Sequence, residues 1–120
     1  MSQSILKDKS FAFALEIVKL YQFLASEKKE YVLSRQLLRS GTSVGAMIRE
    51  SKNAESKADF IHKIGIAQKE CDESLYWLEL LSEAGIIDKN KYLANSNAAT
   101  ELLKMIRSSI ITTKKNLPKK

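Results

Sequence analysis

Proline occurs once in this sequence, at Pro118, and glycine only four times. So little punctuation excludes a fold of many short strands and tight turns and favours long helices. Cysteine also occurs once. Cys71 therefore has no internal disulfide partner, and its single use fits a reducing compartment. The lone histidine, His62, restricts acid–base chemistry, and no His, Cys and carboxylate cluster stands at metal-ligand spacing. A phosphate-cradling glycine loop and a nucleophile elbow are missing as well. The expectation is a protein without enzymatic activity, cofactor or metal. Long apolar runs are lacking too: the most apolar stretch, Phe11 to Leu24, is short and is interrupted by Glu16 and Lys19, which excludes a membrane span. No basic segment precedes an apolar one as in a secretory signal, so the cytoplasm is the expected location.

What the chain has in abundance is helical periodicity. Phe60, Ile64, Ala67, Cys71, Ser74, Leu78 and Leu81 alternate by fours and threes, which places all seven on one seam of a helix. A free cysteine on such a seam behaves as a small hydrophobe. Phe13, Ile17, Leu20 and Leu24 mark a similar stripe on a first helix from about Lys9 to Ser26, with Phe11, Ala14, Val18 and Tyr21 beside it. Leu33, Leu37, Ser40, Val44 and Met47 or Ile48 mark a second, from about Tyr31 to Asn53. Ser56 and Asp59 form a capping-box-like start for the third helix, which Gly85 stops. Asp88 or Asn90 caps a fourth, carrying Leu93, Leu102, Leu103, Ile106, Ile110 and Ile111.

Short connections make neighbouring helices antiparallel. The expected fold is all-α: an up-down-up-down four-helix bundle spanning residues 1–120 as one domain, with a frayed basic tail from about residue 113. Gly41 and Gly45 lie inside the second helix, where each costs about 1 kcal/mol relative to alanine. Close helix crossing, a local kink or a contact between subunits would each account for them.

Net charge is +6, and its distribution says more than its sum. Residues 70–88 carry six acids and no base, whereas residues 89–120 carry eight bases and one acid. In an antiparallel bundle one pole collects Lys7, Lys9, Arg49, Lys52, Lys57, Lys63, Arg107, Lys114, Lys115, Lys119 and Lys120. The opposite pole is expected to take most of the acidic block. A basic end of this kind suits phosphate backbones, although charge runs also serve solubility. The aromatics near that pole, Phe11, Phe13 and Phe60, are assigned by spacing to the core and not to a stacking platform for bases.

Two other features invite functional readings. Trp77, with Tyr76, Leu80, Ile66 and Ala84, forms a second apolar strip on the third helix, which is either an oligomer interface or part of a wider core. His62 lies opposite the seam and is expected to face solvent. Histidine phosphotransfer domains are bundles of this size, but their His-x-x-Lys-Gly run differs from His62-Lys63-Ile64-Gly65. A ribonuclease of the HEPN type needs an arginine four to six residues before its histidine, and the nearest here is Arg49.

The stretch Leu38-Arg39-Ser40-Gly41-Thr42-Ser43-Val44-Gly45-Ala46-Met47-Ile48-Arg49-Glu50-Ser51 resembles the motif Arg-Arg-Ala-x-x-Ser-Ile-Pro-x-Asn-Ile-Ala-Glu-Gly of the 23S rRNA intervening-sequence proteins, also called the S23 ribosomal protein family. Gly45, Met47 and Ser51 depart from it. Ser56-Lys57-x-Asp59-Phe60, Ile66-Ala67 and Glu73-Ser74-x-x-x-Leu78 continue the resemblance. It implies a four-helix bundle assembled as a ring-shaped homopentamer, and similarity to the accessory variability proteins of diversity-generating retroelements, which bind nucleic acid and a reverse transcriptase. The family label records genes inside insertions of large-subunit ribosomal RNA and not a ribosomal role.

Together these readings predict a non-enzymatic nucleic-acid-binding protein, RNA first and DNA second. Arg49, Lys52, Lys57, Lys63, Arg107, Lys114 and Lys115 would contact phosphates, and Ile66, Trp77 and Leu80 would join subunits. The alternative is an adaptor that captures a protein partner through the acidic pole or the Trp77 strip, with phosphotransfer at His62 a remote third.

Overall fold

The computed structural model describes residues 3–116, and every regular element among them is helical: α1 (Gln3–Ser26), α2 (Leu33–Ser51), α3 (Lys57–Glu83) and α4 (Lys89–Lys115). Each helix packs against its chain neighbours, and α1 closes the ring more lightly against α4. The result is a rod of 53 × 22 × 21 Å. No described helix is long and apolar enough to cross a membrane.

The α3 seam is the spine of the core. Ile64, Ala67, Cys71, Ser74, Leu78 and Leu81 are fully buried, and Phe60 is half-buried against them. Burying each large aliphatic side chain contributes roughly 1.5–3 kcal/mol. Ser74 is accommodated there because its hydroxyl meets that of Ser40 across the α2–α3 interface at 2.9 Å. Burial pushes the Cys71 thiol up to about 12, and its Sγ donates to the Ala99 carbonyl at 3.2 Å. It is a core residue, as its place on the seam predicts.

The α1–α2 crossing explains two glycines. A Cβ on Gly41 would lie 2.9 Å from both Cγ atoms of Ile17, and one on Gly45 would lie 3.3 Å from the Ser10 carbonyl oxygen. Close crossing within the bundle is therefore the reason for both. Gly85 ends α3 with φ +72°, the left-handed conformation that glycine adopts without penalty. Ser56 accepts from the Asp59 N–H at 3.0 Å, and Asp88 accepts from the Lys91 N–H at 2.8 Å, so both expected caps form.

Several expectations need correction. Helix α1 begins at Gln3 and not near Lys9, because Leu6 and Ser10 extend its buried stripe by two turns. Helix α4 continues through Lys115, so the expected fraying at 113 does not occur there; Pro118, Lys119 and Lys120 lie outside the described residues. Leu93 and Ile111 are exposed. Each stands nine residues from buried Leu102, which is half a turn round the helix. Phe11 is also exposed, at 58%. It sits two residues from Phe13, about 200° away, so the two rings cannot both face the core.

Helix α2 starts on a cap that the sequence pattern does not announce. Val32 holds the N-cap position without a side-chain bond. Instead the Glu30 carboxylate accepts from the N–H groups of Val32, Leu33 and Ser34, at 3.0, 2.9 and 2.7 Å. Burial alone would raise the Glu30 carboxyl, but these N–H groups outweigh it and hold the group below its ordinary range.

Candidate nucleic-acid interface

The antiparallel register brings the end of α2, the start of α3 and the end of α4 to one pole. Two contacts fix this. Lys57 Nζ donates to the Asn116 carbonyl at 2.8 Å, and Lys63 pairs with Glu50 at 3.6 Å. Arg49, Lys52, Lys57, Lys114 and Lys115 are exposed there and Lys63 is half-buried, while Arg107 is exposed about two turns inward along α4.

These cations are not equivalent. Lys57 is tied to a helix C-terminus, Lys63 to Glu50, and Lys9, on the neighbouring α1, to Glu101 at 2.9 Å. Among the described residues, no ion pair engages Lys7, Arg49, Lys52, Arg107, Lys114 or Lys115. Asp8, Glu50, Glu55 and Asp59 lie on the same helix ends or their connection. They temper the pole without reversing its sign. Surface pairs of this kind contribute little to stability, so Lys9 and Lys63 are held only weakly.

The opposite pole is less acidic than expected. Glu70 and Glu73 lie midway along α3, where both carboxylates are engaged by Arg39 of α2, the Glu70 contact at 2.8 Å. Asp72 is exposed at the same level of α3, and the other acids of the block, Glu79, Glu83 and Asp88, share their end of the bundle with Lys28, Lys29, Lys89 and Lys91. The acidic block is thus partly absorbed in the middle of the rod.

Trp77 is half-buried and packs against the core. Its indole N–H donates to Glu73 Oε2 at 3.0 Å, and its ring meets Tyr76 edge-on with centroids 5.0 Å apart. This packing accounts for the half-burial of Trp77 within one chain. Ile66 and Leu80 are half-buried, while Tyr76 remains exposed. His62 is exposed on α3. No group of three or more His, Cys, Asp or Glu among the described residues could hold a metal.

A groove of about 540 Å³ runs between α1 and α2 beside the basic pole. Lys7, Phe11, Arg49, Glu50 and Asn53 stand around small residues such as Gly45 and Ala46. Sequence reasoning missed this site by assigning Phe11 to the core. The available signal was the 200° between Phe11 and Phe13, together with the i, i+4 spacing that sets Lys7 beside Phe11.

Known proteins resemble this chain. The chain matches the family model described as 23S rRNA-intervening sequence protein over residues 2–108. A crystal structure of a protein of unknown function from the S23 ribosomal protein family of Bacteroides thetaiotaomicron VPI-5482 is 50% identical, with a TM-score of 0.91. The similarity covers 92% of this chain and 99% of that one. No curated protein matches the chain. Neither the family description nor the neighbour's names a catalytic activity. On fold and sequence alike, the chain belongs to the 23S rRNA-intervening sequence protein family.

Proposed function

We propose that this protein is a non-enzymatic nucleic-acid-binding module, with RNA its first ligand and DNA its second, acting through the basic pole. The observation that carries this reading is the group of cations without an ion pair among the described residues: Arg49, Lys52, Lys114 and Lys115 at the ends of α2 and α4, with Arg107 about two turns inward on α4. Phosphate contacts by such side chains position a polyanion without reading its sequence. Lys57 and Lys63 contribute charge while each holds an internal partner. A homo-oligomeric ring, a pentamer by resemblance, repeats the pole around one face and multiplies a weak site by avidity. Ile66, Trp77 and Leu80 are the apolar residues of α3 offered to that ring, and the protein works in the cytoplasm.

The test is charge reversal at Arg49 and Lys52, read by retention of structured RNA and duplex DNA on a filter, with the molar mass followed by light scattering. Loss of retention at unchanged mass supports the reading, whereas full retention refutes it. Capture of a protein partner through Tyr76 and its surroundings is the second reading, favoured by the exposure of that ring. It requires partner capture to survive the reversal.

A further inference from the structure

The α1–α2 groove has a chemistry that the pole as a whole does not. Phe11 is 58% exposed, which leaves more than half of its surface to water. Lys7 stands one turn before it on the same helix face, and Arg49 faces it from α2 across the groove. Neither cation has an ion-pair partner among the described residues. The nearby carboxylate of Glu50 is partnered by Lys63. The groove exists because Gly45 lets α2 approach the Ser10 backbone closely, and Ala46 beside it adds no bulk. An exposed aromatic face between two unpaired cations matches a nucleotide: a flat base for the ring, and a phosphate on either side for the cations.

We infer that this groove binds single-stranded nucleic acid, with an unpaired base stacked on Phe11 and the flanking phosphates held by Lys7 and Arg49. The inference rests on the nucleic-acid reading of the basic pole and narrows it to single strands. In a duplex both faces of each base are covered by neighbours, so an aromatic shelf gains nothing there. A second copy seated by self-pairing is the weaker occupant, since an isologous contact would gather two copies each of Lys7 and Arg49 in one interface; a heterologous contact with another copy is an outcome of the test below. Asn53 at the groove edge offers both donors and an acceptor to a base edge or a ribose hydroxyl.

The experiment titrates the full chain with a labelled unstructured RNA oligonucleotide, the DNA of the same sequence, and the corresponding duplexes, by fluorescence anisotropy. Single strands should bind more tightly than duplexes, and whichever strand binds tighter names the ligand. Phe11→Leu keeps the apolar bulk but removes the π face, and should weaken single-strand binding roughly tenfold while leaving duplex binding unchanged. Phe11→Tyr should restore it, and Arg49→Gln should weaken both and lower the salt dependence. Salt-dependent binding that Phe11→Leu leaves intact, or equal affinity for duplexes, overturns the groove and spares the basic pole. Absence of any salt-dependent binding overturns both. A Phe11→Leu variant that changes molar mass but not strand affinity gives the ring to a contact between copies and also overturns the proposal.

Discussion

Gly41 of α2 faces Ile17 of α1 so closely that a Cβ there would lie 2.9 Å from two carbons of a fully buried side chain. Gly65 of α3, by contrast, has no atom beyond its chain neighbours and its own helix backbone within 4 Å of where its Cβ would be. The same substitution should therefore have opposite signs at the two positions. Gly65→Ala removes a flexible helix residue and should stabilise by about 0.5–1 kcal/mol. Gly41→Ala gains the same propensity but overpacks the core, and should destabilise by about 1–2 kcal/mol net. Urea unfolding curves of the two variants check the pair.

Arg39 carries a second relationship between helices. Glu70 is only 14% exposed, so removing its guanidinium partner leaves two neighbouring carboxylates facing each other. Arg39→Ala should destabilise by about 1–2 kcal/mol, more than a typical surface pair. Because Trp77 donates to the same Glu73, its fluorescence should shift as the carboxylate relaxes. A double-mutant cycle with Glu70→Gln should show coupling, and strict additivity would deny the link.

Much of the fold is legible in one dimension. The α3 seam, the caps at Ser56 and Asp88 and the stop at Gly85 depend on local spacing, and spacing is what a sequence displays. The fate of the acidic block is different. Glu70 and Glu73 are consecutive on one face of α3, but their neutralisation by Arg39 depends on the rotation of α2 about its own axis. No local pattern states that rotation. Phe11 fails for a different reason: an apolar residue next to a stripe reads as core until its angle from Phe13 is taken literally. Within the candidate site, the cations could be gathered from the helix order alone. Which of them are already occupied, as Lys57 and Lys63 are, is visible only in three dimensions.

Glu30 sets a pH dependence. Its folded-state carboxyl is held below the ordinary range, so its contribution is complete above the ordinary carboxylate value. It is lost as pH falls through the lowered one. Glu30→Gln should cost about 1 kcal/mol at neutral pH and flatten the acid limb of the stability curve. Thermal melts of both proteins from neutral to acid pH check this, and parallel curves would contradict it.

Cys71 should be silent in the native state. Its thiol is fully buried and pushed up to about 12 by the loss of water, with Asp72 adding to the shift. Hardly any thiolate exists at neutral pH. Labelling by a disulfide reagent should be slow in buffer and follow the unfolded population as denaturant is added. Rapid native labelling would place the sulfur outside the α3–α4 interface.

The most direct test of the basic pole is the slope of log affinity against log salt for a single-stranded RNA, in the native protein and in Arg49→Glu/Lys52→Glu. Phosphate binding at this pole predicts a linear decline, with a slope smaller by about 0.7 for each phosphate that the variant no longer neutralises. Affinity that is flat across the salt series, or a slope identical in both proteins, would contradict it.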